Sequence, residues 1–245
     1  MTDRNTLLAT VLENPADETA RLVLADLLRE SDSAEDQALG RFLWGGITAA
    51  SYRDEDLVED RLFYTAQAEL AAVASSGVPA QWLAALGIGP IPLTKGDWGW
   101  DSSRDRVTVR IGDTLGIFAR GMLAELSLTL GDWYAVACDA VAAWPIERVT
   151  ITDVPGLFFT IGRIQTGWAV HGYLSKLSSI RPVPGSFTPQ GEPVMRTRTR
   201  PADINTQTLF ADRHSMVARI ALVVSDQVAE LREDAGEGWP SPPRR

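Results

Sequence analysis

Cysteine occurs once in this 245-residue chain, at Cys138, and histidine twice, at His171 and His214. A single thiol excludes an intramolecular disulfide and a multi-cysteine zinc site. The two histidines lie far apart in sequence, with no ligand partner at metal spacing, so no metal or other cofactor is expected. No stretch approaches the roughly 18 to 20 apolar residues that a membrane helix requires. The opening MTDRNTLLATVLENP has too short an apolar run, followed too soon by acids, to read as a signal peptide. The expected compartment is therefore the cytoplasm. A basic surplus is missing too: the net charge is −9, and residues 1–87 hold 15 Asp/Glu against 6 Lys/Arg. An acidic arm repels phosphates and disfavours nucleic-acid binding there. The remainder is balanced, and a local basic patch survives a balance of zero.

The signatures of catalysis are also absent. The chain has no GxSxG elbow, Walker loop, HExxH or CxxC, and no GxGxxG in the right context. Gly87-Ile88-Gly89-Pro90 lacks a following helix with free N–H groups to cradle a phosphate. Cys138 sits one residue off an apolar helical stripe and reads as a small packed side chain. These absences predict a protein that is not an enzyme.

What is present is an ordinary globular composition, 45% hydrophobic and 22% charged, enough to build a core. The centre of the pattern is Met122 to Val154. Leu126, Leu128 and Leu130 alternate with polar residues at the period of a strand. Gly131 breaks the run and Asp132 stands where a helix begins. Trp133, Val136, Ala137, Ala140, Val141 and Trp144 share one helical face, and Pro145 ends the helix. Val149 and Ile151 then alternate with threonines in a second strand. Strand, helix, strand most simply makes a right-handed crossover with parallel strands.

Before this unit the chain reads as helices. Residues 5–14 and 17–30 form two, with Asp17 placed to cap the second and Leu22, Val23, Leu24, Leu27 and Leu28 as its apolar stripe. Ser33 caps a third helix that runs to Gly45-Gly46. Residues 54–76 form a fourth, and Pro79 starts a short one through Trp82. GIGPIP, Gly87 to Pro92, closes this arm. Val107, Val109 and Ile111 make a strand, and Leu157 to Ile161 pairs with Trp168 to Tyr173 as a hairpin. Val183 to Pro193 reads as a loop. Residues 206–233 hold a last helix, striped by Val217, Ile220, Ala221, Val224, Val228 and Leu231. His214 near its entrance reads as structural. The expectation is an α+β fold: a helical arm over 1–87, a sheet domain over 88–235 built on one strand–helix–strand unit with added hairpins, and a flexible tail over 236–245.

The run LLATVLENPADETARLVLADLLRESDS, Leu7 to Ser33, resembles the repeat-companion domain of planctomycete and myxobacterial proteins. That family reads as two leucine-rich helices, an Asn/Asp-Pro turn, a RLVYADWLEE-like pattern and a Gly/Asp turn. Here Arg21 to Glu30 stand at the matching positions, with Leu24 in place of the Tyr and Leu27 in place of the Trp. The match covers about 40 N-terminal residues. The order RGMLAELSL, helix, WPIERVTITDV also looks like the segment that follows the domain in many members, where it often leads into leucine-rich repeats. The resemblance implies a fold and a non-catalytic habit, with no assigned activity.

Two stretches carry candidate sites. In KGDWGWDSSRDR, Lys95 to Arg106, Asp97, Asp101 and Asp105 recur beside Trp98 and Trp100. A calcium loop would alternate its oxygen ligands and end in a bidentate Glu, and that pattern is missing. The loop reads either as solvated, with its tryptophans on the sheet, or as a partner-binding or sugar-binding contact through Asp97, Trp98, Trp100 and Asp101. The second stretch is MRTRTR, Met195 to Arg200. As a strand it places Arg196, Arg198 and Arg200 on one face, with Lys176 and Arg181 upstream. It reads as a charged edge that blocks aggregation, as an anion-binding or nucleic-acid-binding stripe, or as a docking face for the acidic arm of a second copy. The expected function is a non-catalytic protein-interaction or scaffold protein. The alternative is a nucleic-acid-associated accessory protein using the arginines. A third reading is a hydrolase or carbohydrate binder at the aspartate loop.

Overall fold

The computed structural model describes residues 4–52, 60–87, 98–100, 106–187 and 193–240. The fold is α+β. Two compact units emerge, one of Met1–Ser127 with Val136–Glu147 and one of Leu128–Ala135 with Arg148–Arg245. The expected boundary after Gly87 falls inside the first unit.

The first unit begins with helices α1 (Arg4–Glu13), α2 (Glu18–Arg29), α3 (Ala34–Ala50), α4 (Arg61–Ser75) and α5 (Val78–Ala85). The caps are those the sequence assigns. Asp17 accepts from the Ala20 N–H at 3.1 Å, and Ser33 from the Asp36 N–H at 3.3 Å. Each side chain satisfies a donor that the first helical turn leaves open. The fourth helix is described from Arg61, capped by Asp60; residues 54–59 of the expected helix lie outside the described residues. On α2 the buried face is Ala20, Arg21, Leu24, Ala25 and Leu28. Val23, expected in that stripe, is 47% exposed. With Leu22 half-buried, the stripe is narrower than its leucines suggest.

Strands β1 (Trp98–Trp100), β2 (Arg106–Ile111), β3 (Thr114–Ala119) and β4 (Met122–Leu128) follow. Neighbours β1–β2, β2–β3 and β3–β4 pair antiparallel. The buried residues of β2 are Val107, Val109 and Ile111, the alternation read from sequence. Phe118 meets Phe42, Trp82 and Trp144 at ring-centroid distances of 5.7, 5.9 and 6.0 Å. Around Leu7, Val11, Leu24, Leu28, Leu43 and Met122 lies a second apolar cluster. The unit is therefore closed by two apolar centres, which is why the arm does not end where its helices end.

Helix α6 (Leu130–Ala143) starts two residues before Asp132. Thr129 caps it: its hydroxyl accepts from the Asp132 N–H at 3.1 Å and donates to the Asp132 carboxylate at 2.7 Å. Asp153 takes the Leu130 N–H at 2.9 Å. The expected stripe is buried from Trp133 to Val141, with Trp144 half-buried. Cys138 is exposed rather than packed, because one position off the stripe is already solvent on a helix of this narrow burial.

The second unit contains β5 (Arg148–Ile151), β6 (Leu157–Ile164), β7 (Gly167–Phe187), β8 (Pro193–Phe210) and helix α7 (Arg213–Ala235). Its strands pair antiparallel in chain order. Two expectations are corrected here. Residues 183–187 and 193 belong to strands, because β7 and β8 continue as a long ribbon, with the register slipping between Pro182 and Phe187 where prolines supply no N–H. Residues 206–210 are strand, not helix: Thr206, Thr208 and Phe210 alternate against β7, and the helix waits for the cap at Asp212. The buried face of α7 includes Met216, Ile220, Val223, Val224, Gln227 and Leu231. Val217, Ala221 and Val228 flank it half-buried. Gly236–Gly238, expected in the flexible tail, form a 3-10 turn, and Pro240 is buried.

Asp212 takes the Ser215 N–H at 2.7 Å and its hydroxyl at 3.0 Å. These bonds hold its carboxyl below the usual carboxylate range, aided by His214 nearby. A carboxyl depressed on folding stabilises above its unfolded pKa, roughly 3.9, and the contribution is lost as pH falls through the lower folded value. Asp212→Asn keeps a capping oxygen without the titration. The melting-temperature gap between wild type and Asp212→Asn should therefore narrow from pH 5 to strongly acid solution. A gap that stays constant over that range removes the carboxylate from the account.

Candidate functional site

Helix α7 packs against β7 and β8. Gln227 Nε2 donates to the Val170 carbonyl at 2.9 Å and to the Thr208 hydroxyl at 3.1 Å. A Cβ on Gly172 would come within 3.1 Å of Gln227 Oε1 and of Phe159, so the glycine lets helix and sheet approach. Phe159, Gly172 and Thr206 thus share the helix side.

Strand alternation puts their neighbours on the other side. One row across the register is Thr150, Phe158, Tyr173 and Asn205; the next is Arg148, Thr160, His171 and Gln207. Leu209, 58% exposed, continues the same face on β8. The side chains form a ladder. The Phe158 and Tyr173 rings stack at 4.9 Å with 15° between planes. His171 lies 6.0 Å from Tyr173, tilted by 19°. The Arg148 guanidinium sits 4.4 Å over Phe158. Gln207 Nε2 and His171 Nε2 share a hydrogen bond of 3.2 Å.

This arrangement has a chemical consequence. Each ring turns its face to its neighbour, so the π-faces are engaged within the sheet. The face presents ring edges, a phenol, an imidazole, carboxamides and a guanidinium. Such a surface is suited to hydrogen-bonded and edge contacts with a partner. The Phe158 ring lies between Arg148 and Tyr173, and the Tyr173 ring contacts both Phe158 and His171. His171 is held by the Gln207 amide and the Tyr173 ring. Among the described residues no group of three His, Cys, Asp or Glu is placed to hold a metal ion, and no helix is long and apolar enough to cross a membrane.

The residues singled out in the sequence fare differently. Asp97 and Asp101 lie outside the described residues, as does Asp105. Trp98 and Trp100 form the ends of β1, in register with Val109 and Val107. Arg196, Arg198 and Arg200 stand in β8, as the strand reading requires, opposite Arg181, Ser179 and Leu177. Lys176, exposed, pairs with Pro201. Being one step off the Leu177–Arg200 pair, Lys176 belongs to the opposite face of the ribbon. The register thus brings Arg181 together with Arg196 and separates Lys176 from them. Sequence reasoning missed the Phe158–Tyr173–His171 ladder. The hairpin was legible, but a ladder depends on register, and a one-residue slip would have turned those rings to the helix side. Compared with family models, curated proteins and solved structures, the chain matches none.

Proposed function

We propose that this is a non-catalytic protein-interaction protein, and that the face of β5–β8 opposite α7 is its contact surface. The observation that carries the reading is the ladder of Arg148, Phe158, Tyr173 and His171. Tyr and Arg are the residue types that dominate binding hot spots. Here mutual stacking fixes their rotamers in advance, which lowers the entropy lost on association. Exposed Asn205, Gln207 and Leu209 border them, giving a polar rim with an apolar element. The resemblance of Leu7 to Ser33 to repeat-companion domains points the same way.

Leu209→Lys with Asn205→Lys tests this without disturbing the ladder. Tagged wild type and double variant are used for nuclease-treated affinity capture from native cells, and light scattering tests self-association. The expected result is a stoichiometric partner, or a dimer, with wild type that is lost in the variant at unchanged melting temperature. Identical captured sets for both proteins would sink the proposal.

A second reading rests on one observation. Arg181 and Arg196 are direct register partners in the β7–β8 ribbon. The pairing gathers basic residues of both strands at this end of the ribbon, the place where nucleic acid would be held. That reading requires duplex or single-strand binding that weakens steeply with salt and whose salt slope falls in Arg196→Gln with Arg198→Gln.

A further inference from the structure

A second place in the molecule carries charge that packing alone does not account for. Within the first unit a pocket of about 190 Å³ is lined by Arg21, Arg106, Arg120, Met122 and Glu147, among others. Arg21 belongs to the buried face of α2 and is only 4% exposed. Its Nε has no hydrogen-bond partner. A buried donor left open is costly, whereas an apolar residue there would complete the leucine-rich stripe.

Arg120 is the second anomaly. It has φ 50, the one non-glycine residue at positive φ among the described residues. With Gly121 at φ 73 it forms the two-residue turn between β3 and β4. Such a turn prefers Asn, Asp or Gly at this position because a larger side chain is strained there. The arginine reaches Glu18 at 3.1 Å and lines the same pocket. Arg106 is held by Glu125 at 2.5 Å. Two of the three guanidinium groups thus have a carboxylate. Burial and the charge of Arg120 push the Arg21 guanidinium down, against a smaller opposite pull from Glu147 and Glu18.

We propose that this pocket binds one small oxyanion group, a phosphate or a carboxylate, between Arg21 and Arg120. A guanidinium presents donors in a planar fork that matches two oxygens of such a group. The volume sets the size. Pockets for drug-sized ligands run to roughly 300–1,000 Å³, so this one admits a free ion or the end of a small molecule, not a nucleotide. Glu147 on the wall repels a second negative charge and leaves room for a donor on the ligand. The occupant supplies the missing partner for Arg21 and draws together two cations that otherwise repel.

The test is calorimetric titration of the full chain with sodium phosphate and, separately, sodium acetate, at ionic strength held constant with chloride. Saturable binding of at least one anion is expected, and which one binds assigns phosphate or carboxylate chemistry. Arg120→Gly removes the charge and relieves the strained φ, so it should melt no lower than wild type yet bind about tenfold more weakly or worse. Arg21→Met should abolish binding. Should it fail to fold, the glycine variant still decides. No saturation with either anion up to about 10 mM, or equal affinity in wild type and Arg120→Gly, overturns the proposal.

Discussion

Gly121→Ala unfolds the first unit or brings it to the edge of unfolding. A Cβ built on Gly121 would lie 2.4 Å from Leu43 Cα, 2.5 Å from the Phe42 carbonyl oxygen and 2.7 Å from Leu43 N. These are backbone atoms of α3, which cannot rotate aside. Gly46 faces the same contact from the helix, where a Cβ would come within 2.3 Å of Gly121 N. Helix α3 and the β3–β4 turn therefore touch main chain to main chain, and either the helix or the turn must move to admit a methyl group. Overpacking a rigid site costs typically 1–3 kcal/mol. Alanine at φ 73 adds about 1–2 kcal/mol. The sum, about 2–5 kcal/mol, is a large part of the 5–15 kcal/mol that holds an average domain. A fall in melting temperature on the order of 10 °C follows for a chain of this size. Gly112→Ala is the control: its φ is 56, but nothing lies within 4 Å of the added Cβ, so only the conformational cost applies. If the two variants melt together, the close approach of α3 to the turn is wrong.

Phe118→Ala should cost a comparable amount by the opposite mechanism, a void. Phe118 is 1% exposed and meets Phe42 and Trp144 edge-on, with interplanar angles of 80° and 90°. Trp82 lies 5.9 Å from it and also meets Phe42 at 5.5 Å. Because the rings contact one another as well as Phe118, none can collapse into the space without breaking a second contact. Removing a buried phenyl ring from such a site costs about 3–5 kcal/mol. Urea unfolding followed by tryptophan emission reads the loss, since Trp82 and Trp144 line the void. Phe118→Leu, which keeps most of the volume, should cost less than about half as much. A loss under about 1 kcal/mol for the alanine variant would show that the cluster rearranges freely.

How much of this was legible beforehand differs from element to element. The period-2 run of β2 and the capped starts of α2 and α3 were readable, because each depends on a few adjacent residues. The end of β8 was not. Thr206 to Phe210 carries no helix-breaking residue, and only pairing with β7 settles its state. The ribbon from Val183 reads as a loop from composition, since proline weakens a strand, yet a partner strand and a register slip accommodate it. Arg21 sits at a position that the resemblance marks as part of a motif, but nothing in the sequence shows that its guanidinium is buried. Val23 shows the reverse error: an apolar residue in a leucine-rich run that turns out to face solvent.

The sequence by itself determined the α+β class, the N-terminal helices, the strand–helix–strand centre and the caps of α2 and α3. Those features rest on local periodicity, on side chains that satisfy nearby backbone groups, and on glycine or proline at chain reversals. Tertiary structure alone decided the division into units, the ladder of Phe158, Tyr173 and His171, the meeting of Arg21 with Arg120, and the glycine contact between α3 and the turn. Each of these joins residues far apart in sequence, through register or close approach. Neither leaves a periodic trace in the chain, because which distant residues meet is settled by packing the whole rather than by the propensity of any part.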